Sequence, residues 1–151
     1  MTNIRGAVDQ PSGVFRRLLV GFDGSSESRR ALRIARSLAA DVGGEVHVLS
    51  VVSSRPHAET SQARLAALDE ERMRLLDALS SEQPLDGRDG APFSHVVYFD
   101  DAAEGISAFA TEHGFDLVVV GTHGSDQVMH RGVGKTVEML LRSHSCPVLV
   151  V

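Results

Sequence analysis

The sequence predicts an α/β fold, a Rossmann-like open parallel five-stranded sheet with helices on both faces. Segments patterned as strands alternate with segments patterned as helices, in the order β-α-β-α-β-α-β-α-β, and this alternation is typical of parallel sheets. Two strand segments, Asp116–Gly121 and Pro147–Val151, are almost entirely apolar, as expected of strands buried on both faces. The length of 151 residues is that of one domain.

The first strand is predicted over Arg16–Phe22 and leads into a turn at Asp23–Ser26, whose Asp and Ser residues are typical helix N-caps. The helix that follows ends at Gly43–Gly44. Apolar residues at helical spacing predict its inward face: Ala31, Ile34, Ala35, Leu38 and Val42. The second strand is predicted over Glu45–Val52.

The second helix is predicted over Ser61–Leu79, and turns over Pro84–Pro92. The inward residues of that helix are predicted to be Leu65, Leu68, Leu75 or Leu76, and Leu79. The third strand is predicted over Phe93–Phe99, and the third helix over Ala102–His113, ending at Gly114. Asp100 or Asp101 caps this helix, and its core residues are Ile106, Phe109 and Ala110.

The fourth strand, Asp116–Gly121, is followed by a polar, glycine-rich loop over Thr122–Val133. The fourth helix is predicted over Gly134–His144, with an inward stripe of Val137, Leu140, Leu141 and His144. The last strand, Pro147–Val151, has no polar alternation and no covering charge. An apolar edge strand of this kind pairs readily with another chain, which favours a two-fold homodimer through this strand.

Composition and charge exclude several classes of function. Fifteen Lys and Arg against twenty Asp and Glu give a net charge of -5, so no positive excess is present for nucleic-acid binding. No apolar run approaches the ~20 residues that cross a bilayer. Residues 1–14 lack a hydrophobic signal segment and are predicted to form a flexible tail before a domain over residues 15–151. A single cysteine, Cys146, predicts a reducing, cytoplasmic location.

A ligand site is expected where the strands of an open α/β sheet end, at the point where the strand order reverses. Two loops at strand ends have suitable residues: Asp23–Ser26 after the first strand, and 121–136 after the fourth. Glycines in the second loop let backbone N–H groups approach an anion, and a helix N-terminus at Gly134 favours negative charge. If the order reverses between these two strands, both loops border one crevice that suits phosphate.

The sequence Gly134–Lys135–Thr136 also matches the end of a Walker A motif. The complete motif requires a glycine five positions before Gly134, where this chain has Met129, and only 15 residues follow Thr136. These differences argue against a P-loop NTPase.

Other polar residues favour simpler interpretations. His123, Asp126 and His130 lie on one loop, but their spacing matches no standard metal site, so solvated residues are expected. Cys146 is expected to be a buried, unreactive thiol. Neither a nucleophile elbow nor a convincing catalytic set is present, so we expect a binding protein rather than an enzyme. A solvated helix face is predicted for three arginines of the first helix: Arg29, Arg33 and Arg36.

Gly121, Gly124 and Gly134 are separated by two and by nine residues, within the flanking sequences LVVVGTHG and LLRSHSCPVLVV. Together with LLVGFDGSSESRRALRIA near the start, these motifs are similar to those of ATP-binding members of the universal stress protein family, from Arg16 to Val151. The resemblance implies the strand order 3-2-1-4-5, a homodimer through the last strand, and a role in stress response or signalling with little or no hydrolysis.

The resemblance also implies the residues of a nucleotide site. Gly21 and Asp23 would lie at the adenosine end, Val51 beside the base, and Val120 and Gly121 along the same wall. The phosphates would be held by Gly124, Gly134, Lys135 and Thr136.

The chain departs from the family pattern at Lys135, where ATP-binding members have a small hydroxyl residue. A long cation there strengthens a polyphosphate site or blocks it. The resemblance therefore leaves three alternatives: ATP with or without Mg²⁺, cyclic AMP, or an interaction module of the same fold that binds no nucleotide.

Overall fold

A computed structural model describes residues 15–53, 60–82, 92–124, 132–143 and 145–151. The predicted tail over 1–14, the predicted turns over Pro84–Pro92 apart from Pro92, and residues 125–131 of the predicted loop over Thr122–Val133 lie outside these described residues. Nine elements follow one another in the described residues: β1 (Arg17–Gly21), α1 (Ser26–Val42), β2 (Glu45–Ser53), α2 (Ser61–Ser80), β3 (Phe93–Phe99), α3 (Ala102–Glu112), β4 (Leu117–Val120), α4 (Lys135–Ser143) and β5 (Val148–Val150).

The five strands form one parallel sheet in the order β3-β2-β1-β4-β5, which confirms the predicted fold and strand order. Strand β1 lies at the centre, between β2 and β4. Gly21 at the end of β1 pairs with Leu49 of β2, and Val20 pairs with Val119 of β4. The strand order reverses between β1 and β4, so the loops that follow these two neighbouring strands start side by side.

Alternate residues of each central strand pack into separate core layers, as the two-residue period of a strand requires. Leu18 and Val20 contribute to the layer beneath α1 and α2, whereas Leu19 contributes to the layer beneath α3 and α4. All three are fully buried. Strand β4 is therefore covered on both faces as predicted, and so is β1. The same expectation is wrong for β5, which is an edge strand with half-buried residues.

The buried face of α1 differs from the predicted one. Leu38 and Val42, predicted to be inward, are exposed, and Ile34 is only half-buried. Ala31 and Ala35 are buried as predicted, and they are joined by two residues that the prediction omitted, Leu32 and Ala39. The observed buried stripe is therefore rotated to one side of the predicted one, onto Ser28, Ala31, Leu32, Ala35, Arg36 and Ala39.

The leucines of α2 and α4 are also less buried than predicted. Leu75 is buried in α2, but Leu65 is exposed, so its predicted inward orientation is wrong. Val137 and Leu140 of α4 are buried, whereas Leu141 is exposed. His144 lies outside the described residues.

The predicted solvated arginine face of α1 is wrong at Arg29 and Arg36, whereas Arg33 is exposed as predicted. Arg36 is only 4% exposed. Arg29 donates hydrogen bonds to the Ala78 carbonyl (3.3 Å) and to a Glu82 carboxylate oxygen (2.7 Å), and Arg33 lies 3.6 Å from the other oxygen of Glu82. Two of these arginines therefore tie α1 to the end of α2, and long side chains can do this from positions that look solvent-facing in sequence.

Candidate functional site

A cavity of about 840 Å³ opens at the carboxyl ends of the central strands, within the size range of small-molecule sites. The structure brings all of the sequence-predicted site residues to its wall: Gly21, Asp23, Val51, Val120, Gly121, Gly124, Gly134, Lys135 and Thr136. The two predicted loops therefore border one crevice, and they come from strands that are adjacent in the sheet.

The two loops approach each other closely at their glycines. A Cβ atom on Gly124 would lie 2.7 Å from Asp23 Oδ2, and one on Gly121 would lie 2.5 Å from Glu27 Cβ. Real Cβ atoms do not approach other atoms so closely, so the contact with the Glu27 backbone requires glycine at position 121. At position 124 the close atom is the end of the Asp23 side chain, which can shift. The close approach brings the carboxylate of Asp23 from the β1 loop beside the backbone of the β4 loop.

Gly134 closes the β4 loop onto the start of α4. Its N–H donates to the Thr122 carbonyl (2.7 Å), and its own carbonyl accepts from Glu138 N–H (3.0 Å). Its amide is thus used within the loop, whereas the resemblance placed Gly134 among the phosphate contacts. Lys135 and Thr136, the first two helical residues, also line the cavity, and first-turn N–H groups of a helix have no intrahelical partner.

Asp23 organises the turn that begins α1. Its Oδ1 accepts from Ser25 N–H (2.9 Å), and the Ser25 hydroxyl caps the helix by accepting from Ser28 N–H (3.2 Å). An Asp in this role holds the turn and presents its second carboxylate oxygen toward Gly124. The residue is exposed, so a ligand in the cavity can reach it.

The wall beneath α2 was not predicted from the sequence. The hydroxyl of Ser50, which is buried, donates to Glu71 Oε1 (2.5 Å), and Glu71 Oε2 lies 3.8 Å from Arg74. Tyr98 completes this wall, and its buried hydroxyl has no hydrogen-bond partner among the described residues. The sequence held one indication of this wall. Ser50 interrupts the largely apolar strand sequence EVHVLSVV, and a polar residue buried in a strand needs a hydrogen-bond partner.

The described wall of the cavity contains more acidic than basic groups. Its cations among the described residues are Arg74 and Lys135. Arg74 pairs with Glu70 (3.4 Å) and Glu71, whereas Lys135 makes no ion pair within the described residues. The carboxylates are those of Asp23, Glu70, Glu71, Asp100 and Asp101. Asp101 is used structurally, because it accepts from Ala103 N–H and Glu104 N–H as the N-cap of α3.

A second polar cluster lies at the opposite end of the sheet. Arg17 Nε donates to Glu45 Oε1 (2.7 Å), which is 3.2 Å from His47 Nε2, and His47 Nδ1 is 2.8 Å from His95 Nε2. A carboxylate only accepts, so His47 donates from Nε2 and its Nδ1 accepts from His95. Burial lowers the pKa of His47 against the opposing effect of Glu45, and burial lowers the pKa of His95, with smaller contributions from His47 and His113.

Metal and thiol chemistry find little support in the described part of the chain. His123 lines the cavity, but Asp126 and His130 lie outside the described residues. Within the described ranges no three His, Cys, Asp or Glu residues are grouped to hold a metal. Cys146 is half-buried rather than fully buried as expected, and its Sγ donates to the Phe115 carbonyl (3.4 Å). Burial raises the pKa of this thiol, which disfavours the thiolate form. Among the described helices, none is both long and apolar enough to cross a bilayer.

Comparison with known proteins identifies a family for nearly the whole chain. The model of the universal stress protein family matches residues 15–151. A universal stress protein of Methanocaldococcus jannaschii is 27% identical over 142 residues, which cover 91% of this chain and 82% of that protein. A crystal structure from the same family, from Burkholderia pseudomallei, is 30% identical with a TM-score of 0.67 and covers 93% of this chain and 98% of its own.

Two further solved structures share the fold and contain ligands. A universal stress protein crystallised in complex with cAMP is 24% identical, with a TM-score of 0.56 and coverage of 92% of this chain and 98% of that one. The universal stress protein of Archaeoglobus fulgidus in complex with dAMP is 18% identical, with a TM-score of 0.64 and coverage of 91% and 98%.

Proposed function

This chain belongs to the universal stress protein family, and we propose that it binds an adenine nucleotide, ATP, in the cavity at the carboxyl ends of its strands. The observation that carries the proposal is the convergence of the β1 and β4 loops, with all nine predicted residues, on that one cavity. Two proteins of the same fold bind cAMP and dAMP, so the architecture accommodates an adenine nucleotide. The ligand acts in a cytoplasmic stress-response or signalling role.

In this proposal the ligand lies across the central strands. The base packs beside Val51, and the ribose hydroxyls donate to the carboxylate of Asp23. The phosphates lie along Gly124 toward the start of α4, where the N–H groups of Lys135 and Thr136 face the anion. The ammonium group of Lys135 makes no ion pair within the described residues, so it adds a full charge to the phosphate end.

We propose ATP as a bound ligand with little or no hydrolysis. Phosphoryl transfer needs a group that stabilises the charge of the transferring phosphate, and arginine often supplies it. The one arginine in the described wall, Arg74, is paired with two glutamates beneath α2. Its charge is thus already compensated by these two carboxylates.

Native mass spectrometry of the purified protein tests the proposal directly. The expected result is a mass increment of one ATP per protomer, or uptake of added ATP to that ratio with or without Mg²⁺. A protein that is isolated empty and takes up neither ATP nor cAMP is an interaction module of the same fold, and this outcome overturns the proposal. Uptake of cAMP in preference to ATP assigns the cavity to a cyclic nucleotide.

The variant Lys135→Ser resolves the role of the one departure from the family motif. If Lys135 contacts the polyphosphate, Lys135→Ser lowers ATP affinity about tenfold and changes AMP affinity little, because AMP lacks the distal phosphates. If Lys135 blocks the site, the same variant raises ATP affinity. Lys135→Arg is the matched control, since it keeps the charge.

We also propose a homodimer formed by β5 and its symmetry mate. Pro147 O accepts from Val118 N–H, and Val151 pairs with Val120 and Thr122, so odd-numbered residues bond toward β4. Alternate residues of a strand point to opposite neighbours, which leaves the backbone groups of Val148 and Val150 on the open edge. Val150→Pro removes one outward N–H and is expected to yield monomers when sedimented well below micromolar concentration, whereas Val150→Ala keeps the N–H and the dimer. A Val150→Pro protein that stays dimeric at that low concentration would contradict this interface.

A further inference from the structure

Helix α2 exposes more apolar surface than its position over the sheet requires. Leu75 is the one buried residue within Ser61–Ser80. Leu65, Met73 and Leu76 are 63%, 68% and 48% exposed, although their type is normally covered. Single exposed leucines are ordinary on a protein surface, but these three residues share one side of a helix.

The exposed residues follow the spacing of a helix–helix seam. Leu65, Asp69, Arg72 and Leu76 are separated by four, three and four residues, which aligns them along one line of the helix surface. The half-buried Leu68 and the exposed Met73 flank this line on its two sides. We call these six residues the α2 seam.

The α2 seam is complementary to itself when two copies meet antiparallel. With a two-fold axis midway between residues 70 and 71, Leu65 of each copy opposes Leu76 of the other, and Leu68 opposes Met73. The same axis places Asp69 opposite Arg72, twice. Apolar pairs therefore lie at the outer positions and two pairs of opposite charges lie at the centre, which is the pattern of an isologous contact.

The two charged residues of the seam are available for such pairs. Asp69 and Arg72 are exposed, and within the described residues neither makes an ion pair. Arg74, which lies on the opposite side of the helix from the seam, instead pairs with Glu70 (3.4 Å) and Glu71 (3.8 Å). A parallel helix pair would oppose Asp69 to itself, so the charges select the antiparallel arrangement.

We propose that the α2 seam is an interface with a second copy of this chain. The helix packs against β2 and β3, whereas β5 is the opposite edge of the sheet, so this interface is separate from the proposed β5 dimer. A 20-residue helix is about 30 Å long, and one helix pair falls at the low end of stable interface sizes. We therefore expect association in the micromolar range or weaker.

Charge reversal on the full chain tests the α2 seam by sedimentation over a concentration series. Asp69→Arg places four positive charges at the centre of the seam, and Arg72→Asp places four negative charges there. Each variant is expected to weaken one association step at least about tenfold. The double variant Asp69→Arg/Arg72→Asp restores two opposite pairs and is expected to recover the wild-type step.

A mixture of the two single variants gives the sharpest result. Asp69→Arg carries only positive charges at the two central positions and Arg72→Asp carries only negative ones, so a one-to-one mixture is expected to associate although each variant alone does not. General destabilisation would not produce this recovery. Asp77→Arg is the matched control, because it changes the charge equally on an exposed position of α2 about 100° from the seam.

The readout does not depend on nucleotide or on β5. If β5 dimers form, the affected step is dimer to tetramer; if they do not form, it is monomer to dimer. Wild-type protein that shows no further association up to millimolar concentration overturns the proposal. So do single variants that sediment as wild type, or a mixture that fails to recover.

Discussion

A methyl group on Gly121 would lie 2.5 Å from Glu27 Cβ and 2.9 Å from the Glu27 carbonyl carbon. Glu27 belongs to the first turn of α1, whose backbone is held by the Ser25 cap, so it moves only with the helix. Gly121→Ala is therefore expected to destabilise the protein by about 1–3 kcal/mol, the usual cost of overpacking. The measurement is the midpoint of urea unfolding.

Gly134→Ala is the control for this prediction. Its added Cβ would lie 3.3 Å from the Thr122 carbonyl oxygen, a contact that a small shift relieves. A smaller loss is expected there than at Gly121. Equal losses at the two positions would show that the contact with α1 is not the reason for glycine at position 121.

Residues of the cavity could be predicted individually where the spacing of glycines along the sequence indicated them. The intervals between Gly121, Gly124 and Gly134 predicted the loop that borders the cavity, and each of these residues lines it. The sequence could not show that the Gly134 amide bonds to Thr122, because this depends on how the loop closes. Ser50 and Tyr98 were missed because tertiary packing alone brings β2, β3 and α2 around one cavity.

At the scale of secondary-structure elements, sequence periodicity does not decide which face of a helix is buried, and contacts between helices do. The periodicity predicted the elements but placed the buried faces of α1 and α2 partly wrong, because each of these helices has apolar residues on more than one side. Long arginine side chains complicate the pattern further, because Arg29 reaches the end of α2 from a position that looked solvated.

The contact that Arg29 makes between α1 and the end of α2 is expected to contribute to the free energy of unfolding. Arg29→Ala removes the 2.7 Å ion pair with Glu82, which is nearly buried, and the hydrogen bond to Ala78 O. The expected loss is about 1–2 kcal/mol in unfolding by urea, since a partly buried carboxylate and a helix-end carbonyl lose their donor. Arg33→Ala, whose contact is 3.6 Å and whose side chain is half exposed, is expected to cost less. The reverse order would contradict this assignment.

The His47–His95 pair links β2 to the edge strand β3 and predicts acid sensitivity. The pKa values of both residues lie below the ordinary 6.5, chiefly because of burial. As the pH falls below 6.5, these two histidines therefore bind more protons in the unfolded chain than in the folded protein. Stability is therefore complete well above pH 6.5 and decreases as the solution is acidified through the two folded-state values. Two charged imidazoles 2.8 Å apart also lose their hydrogen bond.

Hydrogen exchange of β3 amides between pH 7.5 and 5 measures this effect, corrected for the intrinsic pH dependence of exchange. Faster relative opening of Phe93–Phe99 is expected at the lower pH. His95→Gln keeps a side-chain N–H donor without a titrating group, so its β3 protection is expected to change less with pH. His123→Gln is the control, since that histidine lies at the other end of the sheet. An unchanged pH response in His95→Gln would refute the interpretation.

At the scale of the whole molecule, the topology was predictable and the surface assembly was not. Alternating elements, buried apolar strands and short connections leave few arrangements of a parallel sheet, and the observed order is the one that the family resemblance implied. The net charge of -5 describes the whole chain but not the cavity, because Lys135 is a cation in the described wall that makes no ion pair within the described residues. The α2 seam was hidden, since its leucines were assigned to the core by their spacing.

The two proposed interfaces lie at opposite edges of one sheet, so their combination determines the size of the assembly. Each is isologous, and a molecule with two such surfaces forms chains or closed rings of even number rather than isolated dimers. Wild-type protein is therefore expected to grow beyond dimers with concentration. Val150→Pro and Asp69→Arg, each alone, are expected to stop at dimers, and the double variant is expected to be monomeric. Sedimentation of all four proteins distinguishes this scheme from a single interface, for which one of the two variants would already be monomeric.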